Sequence, residues 1–351
     1  MGNAKSKEIT VKTLPALEAF ERLSLPGLNA NLFSSPEWIR TIVRAYGAKV
    51  FVKFIERNGA VDAYVFYTVV KNFLEWKVCV LSYCDYCDAH ISAPEDWRLI
   101  FNSLKEEFPW YRIVVRSLRD EAARQCGCFK VLSKEHFHFL DLSPDVDTLW
   151  KNLKGVFRSQ VRQATKRGLT TRECSHKELH DFYMLHVRLR KHKYGIFAQP
   201  YNFFQVIWEE FIAKGNGFLL GAFLPDGRMV GATLYLICGD TLYYKINTSS
   251  RDALEYRSNN LLLWEGIRRA KERGLKFVDM GSSGLHQDGL VAFKDATNAK
   301  RLEIIHIGYH PEGYIFSRKR ILKAYTKLFN YPWMPDAITC WGSQFIYHFL
   351  A

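Results

Sequence analysis

The chain has 351 residues, 48% of them hydrophobic and 15% aromatic, and a formal net charge of +13. That apolar fraction excludes disorder, and a length beyond the ~250–300 residues at which one core stops growing predicts two domains. A basic balance of this size points to an anionic partner: nucleic acid, a phosphorylated metabolite or a membrane surface.

The first half alternates short elements. Residues 8–13 (EITVKT) read as a strand and 15–24 as a helix. Ser34-Ser35-Pro36-Glu37 opens a second helix, with serine as cap and proline in the first turn. Residues 49–70 read as a hairpin turning at Asn58-Gly59, and 73–83 as a further strand. A helix over 93–107, a strand over 110–118 and the strand HFHFLDL, 136–142, close the first unit. Ser143-Pro144-Asp145 then starts a linking helix that stops at Gly168. The boundary therefore falls near 145, giving domains 1–145 and 146–351.

The second half repeats the order. A strand at 169–174 precedes helices at 176–193 and 203–214. Three strands fill 217–249, with turns at Pro225-Asp226-Gly227 and Gly239-Asp240. An amphipathic helix over 259–274 buries Leu261, Trp264 and Ile267 and ends at Gly274. Strands at 276–281 and 301–310 follow, then a C-terminal helical extension. Two copies of one order predict an internal duplication.

The eight cysteines show no disulfide-framework spacing, the first ten residues are polar, and the longest apolar runs are strand-length. These features predict a cytoplasmic protein with no membrane span. MGNAKS fits the myristoylation pattern; we read it as a chance match in a polar terminus. Cys84-x-x-Cys87, with Asp88, His90, Cys126 and Cys128, has the spacing of zinc ligands. We read these as buried or edge residues and expect no metal.

Charge is concentrated in places. Lys151, Lys154, Arg158, Arg162, Lys166, Arg167 and Arg172 occur with no acidic residue among them. Arg158, Arg162 and Lys166 stack on one helix face, where unneutralised like charge favours a bound phosphate or RNA. Arg188, Lys191, His192 and Lys193 form a second basic spot, and Arg318, Lys319, Arg320, Lys323 and Lys327 a third.

Five stretches resemble, in order, the FemAB and BioF2-like acyltransferases: LFSSPEWIRTIV, NLKGVFRSQVRQATKRGL, RLRKHKYGIFAQPYNFF, TLYYKINTSS with LLLWEGIRRAKERGLKFVDMGSS, and GLVAFKDATNAKRLEI. The resemblance implies an α/β (α+β) fold of two tandem GNAT-like acyl-CoA N-acyltransferase domains, each a mixed sheet flanked by helices. It implies attack by an amine on an activated carbonyl, with acyl-CoA or aminoacyl-tRNA as donor and a cell-envelope or polysaccharide precursor as acceptor. Such a reaction needs a proton acceptor for the amine and a donor or cation facing the carbonyl oxygen.

Lys294, after Phe293 in GLVAFK, matches the family's Phe-Lys pair and is expected to steady the donor and the developing charge. Asp279, at the end of KFVDM and before Gly281-Ser282-Ser283, is expected to orient a ligand or base, or to cap the turn. Asp85-Tyr86 fits the second part of the family's acceptor stretch, with Tyr83-Cys84 in place of its Gly-Pro. SSRDALEYRSNN lacks the glycine-rich turn of acetyl-CoA binders, leaving the helix start at Ser258, Asn259 and Asn260 to meet donor phosphates beside Arg158 and Arg162. The alternative is a non-catalytic GNAT-like module that binds RNA or another polyanion. The C-terminal segment containing Trp333 and Trp341 is read first as a packed subdomain, with peripheral contact with the inner face of the membrane as the alternative.

Overall fold

The computed structural model describes residues 9–312, apart from 30, 73, 74 and 252, together with 326, 331 and 333–347. The myristoylation match and the basic cluster from Arg318 to Lys327 lie outside the described residues.

The first half runs β1 (Ile9–Pro15), α1 (Ala16–Arg22), α2 (Pro36–Tyr46), β2 (Val50–Arg57), β3 (Ala60–Lys71), β4 (Trp76–Cys79), α3 (Pro94–Glu107), β5 (Arg112–Ser117), α4 (Glu121–Gln125) and β6 (Lys130–Asp141). Local chemistry sets these boundaries. The Ser35 side chain accepts from the Trp38 amide at the head of α2, with Pro36 in the first turn. Asn58 and Gly59, both at positive φ, make the tight turn from β2 to β3.

The second half runs α5 (Val146–Asn152), α6 (Gly155–Lys166), β7 (Thr170–Glu173), α7 (Leu179–Leu189), α8 (Tyr201–Glu210), β8 (Gly217–Phe223), β9 (Met229–Cys238), β10 (Thr241–Ser249), α9 (Ser258–Glu272), β11 (Phe277–Gly284), α10 (Asp288–Asp295), β12 (Lys300–Tyr309) and α11 (Asp336–Ile346). The linking helix is therefore two helices. Leu153 and Lys154 take extended ψ angles, and the Lys154 amide donates to Ala296 O, which turns the chain before Gly155.

All twelve strands join one mixed sheet, ordered β1-β2-β3-β4-β5-β12-β6-β11-β10-β9-β8-β7. β6 does not sit beside β5. β12 lies between them, and β6 pairs antiparallel with β12 on one side and β11 on the other. Each half thus contributes a strand to the neighbourhood of the other. Strand β8 is buried at every position, as a strand covered on both faces must be. Phe218, Leu220 and Ala222 face a core that includes α6 and α9, whereas Leu219 and Phe223 face a core shared with α7, α8 and α2. That second core spans both halves of the chain, and Arg40 and Arg44 of α2 fasten it by ion pairs to Glu210 of α8.

Two parallel strand pairs separate part-way along, and these places position the site. β4 and β5 pair from Lys77↔Arg112 to Cys79↔Val114, after which residues 81–89 leave the sheet with Leu81 and Tyr83 at positive φ. β10 and β11 pair from Thr241↔Phe277 to Tyr243↔Asp279 and then part.

Candidate active site

The loop that leaves β4 meets the opening between β10 and β11. The Tyr86 hydroxyl donates to Asp279 Oδ2 at 3.0 Å, and the Gly281 amide donates to Asp279 Oδ1 at 2.7 Å. Asp279 is therefore both a turn cap and a partner of the first half. Its register with β6 shifts between Asp279 and Ser282, a bulge that turns the strand at Gly281. Gly281 has φ +69°, and a Cβ there would sit 3.3 Å from Asp85 Oδ2, so glycine brings β11 close to the Asp85 loop.

Lys245 completes this corner. It is the extra residue of a second bulge, between Tyr244 and Ile246 of β10. Its Nζ lies 3.1 Å from Asp85 Oδ2 and over the rings of Phe33 and Trp38, at 4.5 and 5.0 Å from their centroids. The Tyr243 hydroxyl accepts from the Leu32 amide at 3.0 Å, which ties β10 to the segment ahead of α2.

Lys294 reaches the same corner from α10. It is buried, and its Nζ donates to Gly281 O and Ser282 O, both at 2.9 Å. An ammonium has three protons, so one remains after these two bonds. Burial lowers the Lys294 pKa to about 8, opposed by the negative charges of Asp85, Asp279 and Glu135. Burial raises the Asp279 pKa to about 7, helped by the charge of Asp85 and opposed by the Gly281 and Tyr86 hydrogen bonds and Lys245. A carboxyl and an amine that both change charge near neutrality, in one water-poor corner, are suited to moving a proton and facing a developing negative charge.

Four of the sequence candidates, Asp85, Tyr86, Asp279 and Lys294, are thus drawn together. Phe293 turns the other way, with its ring 5.7 Å from Phe157 of α6. Ser258, Asn259 and Asn260 open α9, whose N-terminus has no side-chain cap and whose preceding residue, Arg257, has φ +56°. The Asn259 side-chain amide donates to Ser249 Oγ, 3.4 Å away at the far end of β10. Arg158 donates to Lys151 O at 2.6 Å and Arg162 lies 5.7 Å over the Trp150 ring, so both are engaged by α5 rather than by the Asp279 corner. The Cys84 thiol donates to Leu81 O at 3.0 Å, and burial pushes it up to about 12. Among the described residues, no three or more His, Cys, Asp or Glu side chains are grouped to hold a metal ion.

The sequence reading missed Lys245, the Phe33–Trp38 pair beneath it, and Glu135 and Arg116 at the edge of the corner. Glu135 on β6 lies 3.7 Å from His306 Nε2 of β12, and Arg116 on β5 donates to Cys84 O at 2.5 Å. Lys245 carried one signal: a lysine inside a buried aromatic strand, TLYYKINTS.

Residues 151–294 match the family described as acetyltransferase (GNAT) domain. The solved structure of FemX superposes with a TM-score of 0.66 at 16% identity, over 90% of this chain and 100% of that one. A tandem GNAT protein from the clavulanic acid biosynthesis pathway gives 0.56 at 13% identity, over 86% and 98%. L-PGS from Bacillus licheniformis gives 0.51 at 13% identity, over 75% and 85%. A comparison with curated protein sequences finds no match. The fold is the mixed α/β fold of these tandem GNAT proteins, and residues 151–294 carry the likeness to an acetyltransferase domain. In fold the chain is similar to FemX. Among the described residues no helix is long and apolar enough to cross a membrane.

Proposed function

We propose that the chain transfers an acyl or aminoacyl group from acyl-CoA or aminoacyl-tRNA to an amine of a cell-envelope or polysaccharide precursor. The observation that carries this reading is the shared corner of Asp279, Tyr86 and Lys294, in which two groups titrate near neutrality. The division into 1–145 and 146–351 is part of the proposal, the first half supplying the acceptor wall and the second the donor site.

The acceptor amine enters beside Asp85 and Tyr86. The Asp279 carboxylate takes a proton as the amine attacks the carbonyl carbon, and the Tyr86 hydroxyl keeps that carboxylate ionised and oriented. The remaining proton of Lys294 faces the carbonyl oxygen as it gains charge, a donor role typically worth about 3 kcal/mol. As the tetrahedral centre collapses, the C–S bond of a thioester or the C–O bond of an aminoacyl ester breaks, and the proton taken up by Asp279 passes to the leaving sulfur or oxygen, which restores the carboxylate. Donor phosphates lie at the uncapped start of α9, where the amides of Ser258 and Asn259 and the helix dipole favour an anion, the Asn260 amide already donating to Arg257 O at 3.2 Å. Phe293, with Phe157, offers an apolar wall on the donor side, and Arg158 and Arg162 supply outlying positive charge.

The test is a melting screen against acyl-CoAs and charged and uncharged tRNA, followed by mass spectrometry of amine acceptors incubated with any donor that shifts the melt. The reading expects one donor class to stabilise the chain, a product carrying its acyl group, and loss of that product in Asp279→Asn and Lys294→Ala. If no donor class gives product and only polyanions bind, with steep salt dependence, the catalytic reading fails in favour of a polyanion-binding module.

A further inference from the structure

Over residues 338–343, α11 turns hydroxyls inward and large apolar side chains outward. Thr339 and Ser343 are each 1% exposed, and the Ser343 hydroxyl donates to Ala198 O. Ile338 and Trp341, three apart on the opposite side, are 41% and 64% exposed. Just ahead of the helix, Tyr331 and Trp333 are 54% and 71% exposed, with their rings 5.7 Å apart. A helix on a water-facing surface normally shows the reverse pattern, with hydroxyls outward and tryptophan and isoleucine inward.

The arrangement is held firmly. Lys191, buried beyond the end of α7, donates to Met334 O and to Asp336 Oδ1, the latter at 3.0 Å, and Arg188 Nε donates to Asp336 Oδ2 at 3.1 Å. These bonds set the aromatic strip beside residues 190–196, where Tyr194 and Ile196 are also exposed. Lys191 is therefore a structural pin, and the basic spot read from the sequence presents Arg188, His192 and Lys193 outward.

The charge around the strip has one sign. In 186–196 and 331–347 the one acidic residue is Asp336, already engaged by Arg188 and Lys191. Lys193 lies 5.1 Å over the Tyr194 ring. The stretch 313–330 adds Arg318, Lys319, Arg320, Lys323 and Lys327 to the sequence and no acid.

We propose that the strip formed by Tyr331, Trp333, Ile338 and Trp341 docks the protein on an anionic phospholipid bilayer, with Arg188 and Lys193 meeting lipid phosphates. Tryptophan and tyrosine around an aliphatic residue, rimmed by cations, suit the boundary between headgroups and acyl chains. A second copy fits less well, because a two-fold contact would set this positive rim against itself. A nucleic acid would use the cations and aromatic faces but leave Ile338 without a role. The surface lies near the candidate active site: Tyr347, just after α11, stacks on Tyr46 at 5.5 Å, and Tyr46 stacks on Tyr83 at 4.2 Å, two residues before Asp85.

The experiment is flotation of the full chain with phosphatidylcholine vesicles prepared with and without phosphatidylglycerol. Flotation with the anionic vesicles is expected, with the bound fraction falling roughly tenfold in Trp333→Ala/Trp341→Ala at unchanged melting temperature. Ile338→Asp provides a second variant should the double one melt early, and the same fall is expected. Absence of flotation overturns the proposal, as does equal flotation of wild type and a folded variant. Concentration-dependent dimerisation abolished by the variants, without vesicle binding, also overturns it and makes the strip a self-interface. The readout is lipid binding, so it stands or falls separately from the transfer reaction.

Discussion

Tyr86 and Asp279 are 193 residues apart in the chain, and the hydroxyl of one donates to the carboxylate of the other at 3.0 Å. The bond crosses between the halves where β10 and β11 part, so the ionisation of a second-half carboxyl depends on a first-half loop. A bond from a neutral hydroxyl to a charged acceptor favours the charged form.

Tyr86→Phe removes that bond and pushes the Asp279 pKa further up. If Asp279 is the proton acceptor, the acidic limb of the pH–rate profile moves upward by about one unit. The variant should be slow at neutral pH and regain rate as the pH rises. An unmoved limb with a uniformly reduced rate would assign Tyr86 to packing alone.

The wild-type profile should be bell-shaped, rising near pH 7 as Asp279 ionises and falling from about 8 as Lys294 loses its proton. Asp279→Asn should abolish the rise along with most of the rate. Stability gives an independent reading. The folded chain holds the Asp279 proton to about pH 7, whereas the unfolded chain releases it near 3.8. Stability from this group therefore declines as pH rises between those values, and Asp279→Asn should flatten that part of a melting-temperature curve.

The Asp85–Lys245 pair couples the halves through charge. A double-mutant cycle with Asp85→Asn and Lys245→Met should return a coupling of about 1–2 kcal/mol in urea unfolding. That range is set below a fully buried pair because the Asp85 side chain is about a third exposed. A coupling near zero would show that the aromatic rings, and not the carboxylate, hold Lys245 in place.

Gly266 lets α9 lie against β9. A Cβ at this position would stand 2.3 Å from the Tyr235 hydroxyl oxygen, which itself donates to Leu262 O at 3.0 Å. Gly266→Ala should destabilise the fold by about 1–3 kcal/mol in denaturant unfolding, despite alanine's better helix propensity. A stabilised variant would contradict the packing described.

Much of this was legible in the sequence where the signal is local. Caps and periodicity located the elements, from Ser35 before α2 to the strands of 217–249, because those rules act within a few residues. The resemblance drew attention to Asp279, Lys294 and Asp85-Tyr86 but not to their mutual bonds, which depend on where two loops meet. Lys245 escaped because a bulge breaks the alternation by which inward residues are recognised. The break between α5 and α6 escaped because Lys154 is turned by a partner 142 residues away, Ala296. The place of β6 escaped for a related reason: HFHFLDL reads equally well beside β5 or beside β11, and pairing is settled by strands made later.

That placement of β6 bears on how the protein is made. Both strands that flank it, β11 and β12, begin more than a hundred residues downstream. At ~5–20 residues per second, a ribosome leaves this strand without its neighbours for on the order of ten seconds. During that interval its unpaired backbone edges are open to other chains. The second half made alone from residue 146 would have the converse defect, an empty slot between β11 and β12. Supplied in trans, a peptide spanning residues 130–141 is the natural candidate to fill it.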